Sequence, residues 1–138
     1  MTTTISIPAI GTIMPDGSIF AGVSPDTGRP MYATPKDHTG FFGLKHLFTV
    51  RGAFAAASKL KSHGRNDWRV PSRAELNVLF RNRAAIGDFN ASGSTPAGWY
   101  WSSARYVNDH FAWAQRFSDG LQNDINMNSR SALRCVRG

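Results

Sequence analysis

One cysteine, Cys135, stands in 138 residues. A lone thiol excludes an internal disulfide and fits a reducing compartment, or a phage particle assembled in one. Long apolar runs are also missing: no stretch approaches the roughly 18 residues that a membrane-spanning helix needs. The opening Met1-Thr2-Thr3-Thr4-Ile5-Ser6-Ile7-Pro8 has no basic start and no extended apolar run, so no signal peptide is expected. A cytoplasmic or virion-borne protein is the expectation.

The usual signs of a catalytic or metal centre are sparse. His38, His46, His63 and His110 are scattered, without paired ligand spacing. Asp124-Ile125-Asn126-Met127-Asn128 imitates the start of a calcium loop, but Ser129 and Cys135 stand where that loop requires Gly and Glu. There is no phosphate-cradling glycine loop, no nucleophile elbow around Ser102 and Ser103, and no obvious carboxylate pair. Cys135 lies in an apolar strand pattern beside Arg134, where a small buried hydrophobe is the simplest reading. A reactive thiolate would need exposure and a base or cation beside it. No metal, cofactor or enzymatic activity is expected.

What is present suits one domain over residues 1–138. A hydrophobic fraction of 41%, with nine Phe and four Trp, can fill one core. The net charge of +7 is local: residues 45–83 carry nine basic residues (Lys45, Arg51, Lys59, Lys61, Arg65, Arg69, Arg73, Arg81, Arg83) against Asp67 and Glu75. That segment reads either as solvated helix faces or as a surface for nucleic acid or an acidic partner.

Along the chain the pattern is strands, then helices, then strands, which is α+β. Pro15-Asp16-Gly17 and Pro25-Asp26-Thr27-Gly28 signal two hairpins within residues 5–34. Residues 36–48, with Gly40 and Gly43, read as a loop. Thr49 is a helix N-cap candidate, followed by Val50, Phe54, Ala57 and Leu60 at helical spacing, with Gly64 as the stop. Ser72-Arg73-Ala74-Glu75 is a capping box, followed by a stripe of Leu76, Leu79, Phe80 and Ala84 closed by Gly87. Residues 88–98 read as a loop and Trp99-Tyr100-Trp101 as a strand. Residues 111–117 alternate, with Phe111, Trp113, Gln115 and Phe117 on one face. Leu133-Arg134-Cys135-Val136-Arg137 is expected as a last strand buried on one side. Trp68, Trp101, Trp113, Leu133 and Val136 are the expected core anchors.

Between these frames lies a softer stretch, Gly120 to Ser131, which holds Asn123, Asp124, Asn126 and Asn128. Such side chains donate and accept hydrogen bonds but build no core. A long loop inside a compact domain is usually functional or disordered, and the aromatic runs on either side argue against disorder; an ordinary solvated hairpin is the alternative.

"WRVPSRAELNVLF", "GWYWSSARY", "AWAQRFSDG" and "ALRCVRG" together resemble a bacterial and phage family with a C-type-lectin-like fold. That family includes C-terminal domains of collagen-like adhesins and the variable proteins of diversity-generating retroelements. The similarity runs from about Asp67 to Gly138. It implies two helices packed on antiparallel strands, with the N- and C-terminal strands adjacent. In the retroelement proteins the segment between the "WSS" frame and the terminal "VR" strand is diversified. The resemblance therefore implies a ligand face at Arg105, Tyr106, Asn108, Asp109, His110, Leu121, Asn123, Asp124, Asn126, Asn128 and Arg130. The implied function is non-enzymatic recognition of a protein or cell-surface molecule. The calcium-dependent sugar signatures of true C-type lectins are absent, so the likeness concerns fold and not sugar binding. Two alternatives stand beside it. One is a nucleic-acid or nucleoprotein partner for the 45–83 segment. The other is an enzyme related to the formylglycine-generating fold, whose paired cysteines this chain lacks.

Overall fold

The computed structural model describes residues 7–39, 47–93, 97–105 and 110–138. Strands Ile19–Val23 (β1) and Pro30–Ala33 (β2) form an antiparallel hairpin. Its turn is the second one expected: the amide of Ser24 donates to the Arg29 carbonyl and that of Gly28 to the Ser24 carbonyl, both at 2.9 Å. The turn at Pro15-Asp16-Gly17 also forms, with the Gly17 amide donating to the Met14 carbonyl at 2.8 Å. The hairpin expected around it shrinks to a single bridge between Ile13 and Ile19.

Helix Val50–Lys59 (α1) starts where its cap residue predicts, with the Thr49 hydroxyl accepting from the Gly52 amide at 3.1 Å. It ends earlier than expected. Leu60 already has an extended backbone, and Gly64 uses its positive φ of 70° in a separate turn.

Helix Arg73–Arg81 (α2) carries the capping box in both directions. The Glu75 amide donates to the Ser72 hydroxyl at 3.2 Å, and the Ser72 amide donates to the Glu75 carboxylate at 2.8 Å. The stripe beyond it is interrupted: the helix breaks at Asn82 and resumes as the single turn Arg83–Ile86 (α3). The break rotates Ala84 into solvent and buries Ile86 in its place. Gly87, at φ 85°, closes α3 as expected.

The second sheet is the meander Trp99–Arg105 (β3), Phe111–Arg116 (β4) and Gln122–Asn126 (β5), in that order. β3 separates two halves of the core. Trp99 and Trp101 pack with Phe48, Val50, Ala53 and Leu133 on the α1 side. Tyr100 packs with Leu76, Leu79, Phe117 and Val136 on the α2 side. The Trp101 indole N–H donates to the Phe48 carbonyl at 2.5 Å, so a fully buried donor is satisfied.

Segment 131–136 runs between the sheets. It was expected as a five-residue strand buried on one side, but every residue from Ser131 to Val136 is buried, and only Val136–Arg137 (β6) pairs regularly, against β2. Single bridges hold the rest: Ser131 to Phe48, Ala132 to Tyr100, and Val136 to Arg69. A strand buried on both faces cannot alternate polar and apolar residues, which explains the run Ala132-Leu133-Arg134-Cys135-Val136. Its one charge, Arg134, is wholly buried and has three partners: the Thr34 carbonyl at 2.7 Å, the Gly87 carbonyl at 3.1 Å and the Asp37 carboxylate at 3.3 Å. The N- and C-terminal strands are therefore neighbours, and the architecture is α+β with helices against antiparallel sheets.

Candidate functional site

The β4–β5 hairpin is the platform. Ala112 opposes Ile125 and Ala114 opposes Asn123 across the ladder; Phe111, Trp113 and Gln115 alternate with the alanines. The alternation is as expected, but burial does not follow one face: Gln115 and Phe117 of the expected face are fully buried on the α2 side, whereas Phe111 and Trp113 are not. Ala112 and Ala114 are buried under α1, while Phe111 and Trp113 are half-buried. The reason is volume: Trp99 and Trp101 already occupy the space under α1, so the facing positions on β4 take alanine. Trp113 is thus not a core anchor. Its ring is covered by the Arg73 guanidinium, 3.6 Å from the ring centroid, in a cation–π contact.

The soft stretch is not a loop. Residues 122–126 form edge strand β5, fully paired to β4. Asn, Asp and Gln are poor strand formers, but cross-strand pairing overrides that preference. Asn123 and Asn126 are exposed, and Asp124 is half-buried. A turn follows, with the Ser129 amide donating to the Asn126 carbonyl and the Asn128 amide to the Asn126 side chain, both at 2.9 Å. Asn128 and Arg130 project outward from it. Leu121, before β5, is 48% exposed.

His110, exposed, sits against the far end of this stretch, its carbonyl accepting from the Met127 amide at 2.9 Å. Arg105 ends β3, paired with Ala112. Its side chain, like Tyr106, Asn108 and Asp109, lies outside the described residues.

Two hollows flank β5 and take in four of the expected residues; Asn123, Asp124 and Arg130 line neither. His110, Asn126 and Asn128 line one of about 340 Å³, together with Thr49 and Arg51 at the start of α1. Leu121 lines the other, about 620 Å³, with Gln122 and with Arg73, Ala74 and Asn77 from the start of α2. Side-chain amides brace the second hollow. Arg73 Nε donates to Gln122 Oε1 at 2.6 Å, and Gln115 Nε2 donates to Asn77 Oδ1 at 2.9 Å. Arg51, Arg73, Asn77 and Gln122 were missed as site residues. For Arg51 and Arg73 the offset from the helix cap marked exposed first-turn positions; Asn77 and Gln122 carried no such signal.

The remaining polar chemistry is structural. Glu75 is 1% exposed; its carboxylate accepts from Arg69 at 2.5 and 2.7 Å and from the Ser24 hydroxyl at 2.6 Å. Burial pushes this carboxyl up, but the opposing pull of Arg69, Ser24 and the Ser72 amide is stronger and leaves its pKa at about 2. Asp37 accepts from the Tyr100 hydroxyl as well as from Arg134. Cys135 is completely buried, and burial raises its thiol pKa to about 12, so at neutral pH it is a protonated core residue and not a nucleophile.

Among the described residues, no group of three His, Cys, Asp or Glu converges as a metal site. The 45–83 charges disperse on folding. Arg69 is committed to Glu75, Arg65 to Asp16, Arg73 to Trp113 and Gln122, and Arg83 to Phe80. Lys45 lies outside the described residues.

No helix among the described residues is long and apolar enough to cross a membrane. No curated protein matches the chain. The family model of the Lcl C-terminal domain does match, over residues 31–137, which covers both helical segments, the β3–β4–β5 meander and the buried C-terminal segment. That family comprises C-type-lectin-like binding domains of bacteria and phages and is not a known enzyme family. With that match over most of its length, and with a polar edge strand on a filled α+β core, the chain belongs to the Lcl C-terminal domain family.

Proposed function

We propose that this chain is a recognition module, a single C-type-lectin-like domain over residues 1–138. It presents the polar surface of residues 105–130 to a protein or cell-surface molecule. The observation that supports this reading is the separation of roles along β5. Its backbone is fixed by the ladder to β4, while Asn123, Asn126, Asn128 and Arg130 project outward and carry none of the core. Interfaces of this kind gain specificity from adaptable amide and hydroxyl groups around a few anchors. Here the rim aromatics Phe111 and Trp113 and the exposed Leu121 supply apolar contact beside them. Such a face can accept changed side chains without loss of the fold, which is the property a diversified binding surface requires. A near-copy of the coding region differing at adenines, in the neighbouring DNA, would identify active diversification.

The test is a display library randomised at Leu121, Asn123, Asp124, Asn126, Asn128 and Arg130. Most members should resist proteolysis like the parent, and selection against unrelated proteins should return specific binders. Widespread protease sensitivity would show that these side chains belong to the scaffold and would overturn the reading.

A further inference from the structure

A second site lies at the opposite end of α1 from the hollow beside β5. Two cavities adjoin there, one of about 310 Å³ and one of about 570 Å³, and both are lined by His38, Thr39 and Leu60. Because they share three residues, a single elongated molecule could occupy both by lying across Leu60. Their volumes fall in the range of small-molecule sites. The walls are apolar where Pro35, Phe48, Ala56 and Leu60 contribute. The His38 ring leans on Phe48 at 5.4 Å, and burial lowers its pKa, which favours the neutral ring.

The rim charge has one sign. Lys36 borders one cavity, Lys59 and Lys61 border the other, and none of the three has an ion pair among the described residues. Among the described residues the only lining carboxylate, Asp37, is already balanced by buried Arg134 and hydrogen-bonded by the Tyr100 hydroxyl. Lys59 and Lys61 thus belong, with Arg51 and Arg81, to the charges of the basic segment that no described ion pair consumes, and they are the two that border this groove. From this we infer that the groove along the end of α1 binds a small amphipathic organic acid. Its apolar body lies over Leu60 and Ala56, and its carboxylate faces the lysine rim. The apolar walls favour a body of several carbons over a bare inorganic anion, and the unpaired ammonium groups favour an acid over a neutral analogue.

The probe is octanoate, used below its micelle concentration, with octanol and acetate as controls. Titrated into the ¹⁵N-labelled chain, octanoate should cause saturable amide shifts centred on His38, Thr39, Leu60 and Lys61. Octanol and acetate should each bind more weakly at the same amides. A Lys59→Gln/Lys61→Gln variant should keep its thermal midpoint and weaken octanoate binding roughly fivefold, the upper range for exposed charge pairs. Octanol should be unaffected by that change. Equal binding of octanoate and octanol would remove the role of the lysines. Equal binding of acetate would remove that of the apolar walls. Shifts centred elsewhere, or no saturation, would overturn the assignment of the groove. None of these results bears on the β5 face, whose library test is read independently.

Discussion

Trp101 and Trp113 are the same residue type on adjacent strands, yet they face different environments. Trp101 is fully buried and donates its indole N–H to Phe48, so Trp101→Ala should cost about 3–5 kcal/mol. Trp113 is half-buried under Arg73, and Trp113→Ala should cost no more than about half as much. Urea unfolding midpoints compare the two directly, and equal shifts would show that the outward face of β4 carries more of the fold than its burial implies.

Glu75 should leave a signature in acid. Its folded pKa of about 2 lies below the roughly 4.3 of an unfolded chain. Its contribution to stability is therefore complete above the unfolded value and is lost as pH falls through the folded one. Glu75→Gln should destabilise the domain at neutral pH and show a shallower loss of stability between about pH 4.5 and about pH 2. Parallel stability–pH curves for the two proteins would contradict this assignment.

Among the elements, the start of α2 and the β5 region should respond unequally to loss of polar groups. Ser72→Ala removes a cap that also bonds Asp26, and should cost about 1 kcal/mol or somewhat more. Asn123→Ala or Asn128→Ala should each move stability by less than about 0.5 kcal/mol, because these side chains are exposed. Calorimetric melts of the three variants would check that ordering.

The same contrast explains what could be read from the chain beforehand. The capping box was legible because its whole signal lies in four contiguous residues, and the Thr49 cap and the turn at Pro25–Gly28 were legible for the same local reason. The burial of Ala112 and Ala114 in place of Trp113 was not legible, because it depends on the bulk of Trp99 and Trp101 on a neighbouring strand. β5 was legible only as the solvated-hairpin alternative, because its composition disfavours a strand and only its partner makes it one. Of the candidate face, the residues on and beside β5 could be found by composition. Arg51, Arg73 and Asn77 could not, since only tertiary packing brings the helix starts to the two ends of that strand.

Across the whole molecule, Cys135 offers a probe of global stability. It is buried in a segment that touches both sheets, and burial keeps its thiol protonated. A thiol reagent should therefore modify the native chain only through opening events, at a rate that rises with denaturant in step with global unfolding. Rapid labelling without denaturant would mean that residues 131–136 detach on their own.

That segment also governs when the fold can form during synthesis. β2 is translated early, but its partner β6 follows roughly 100 residues later, so at about 5–20 residues per second the edge of β2 waits for about 5–20 s. Within that interval, each from the moment it is made, Phe48 lacks Ser131, Arg69 lacks Val136 and, more briefly, Tyr100 lacks Ala132. Neither half of the core can close on a nascent chain that still holds these residues inside the ribosome. Both close only once residues 131–137 are free to pack, and until then a β-edge and two apolar half-cores stay uncovered.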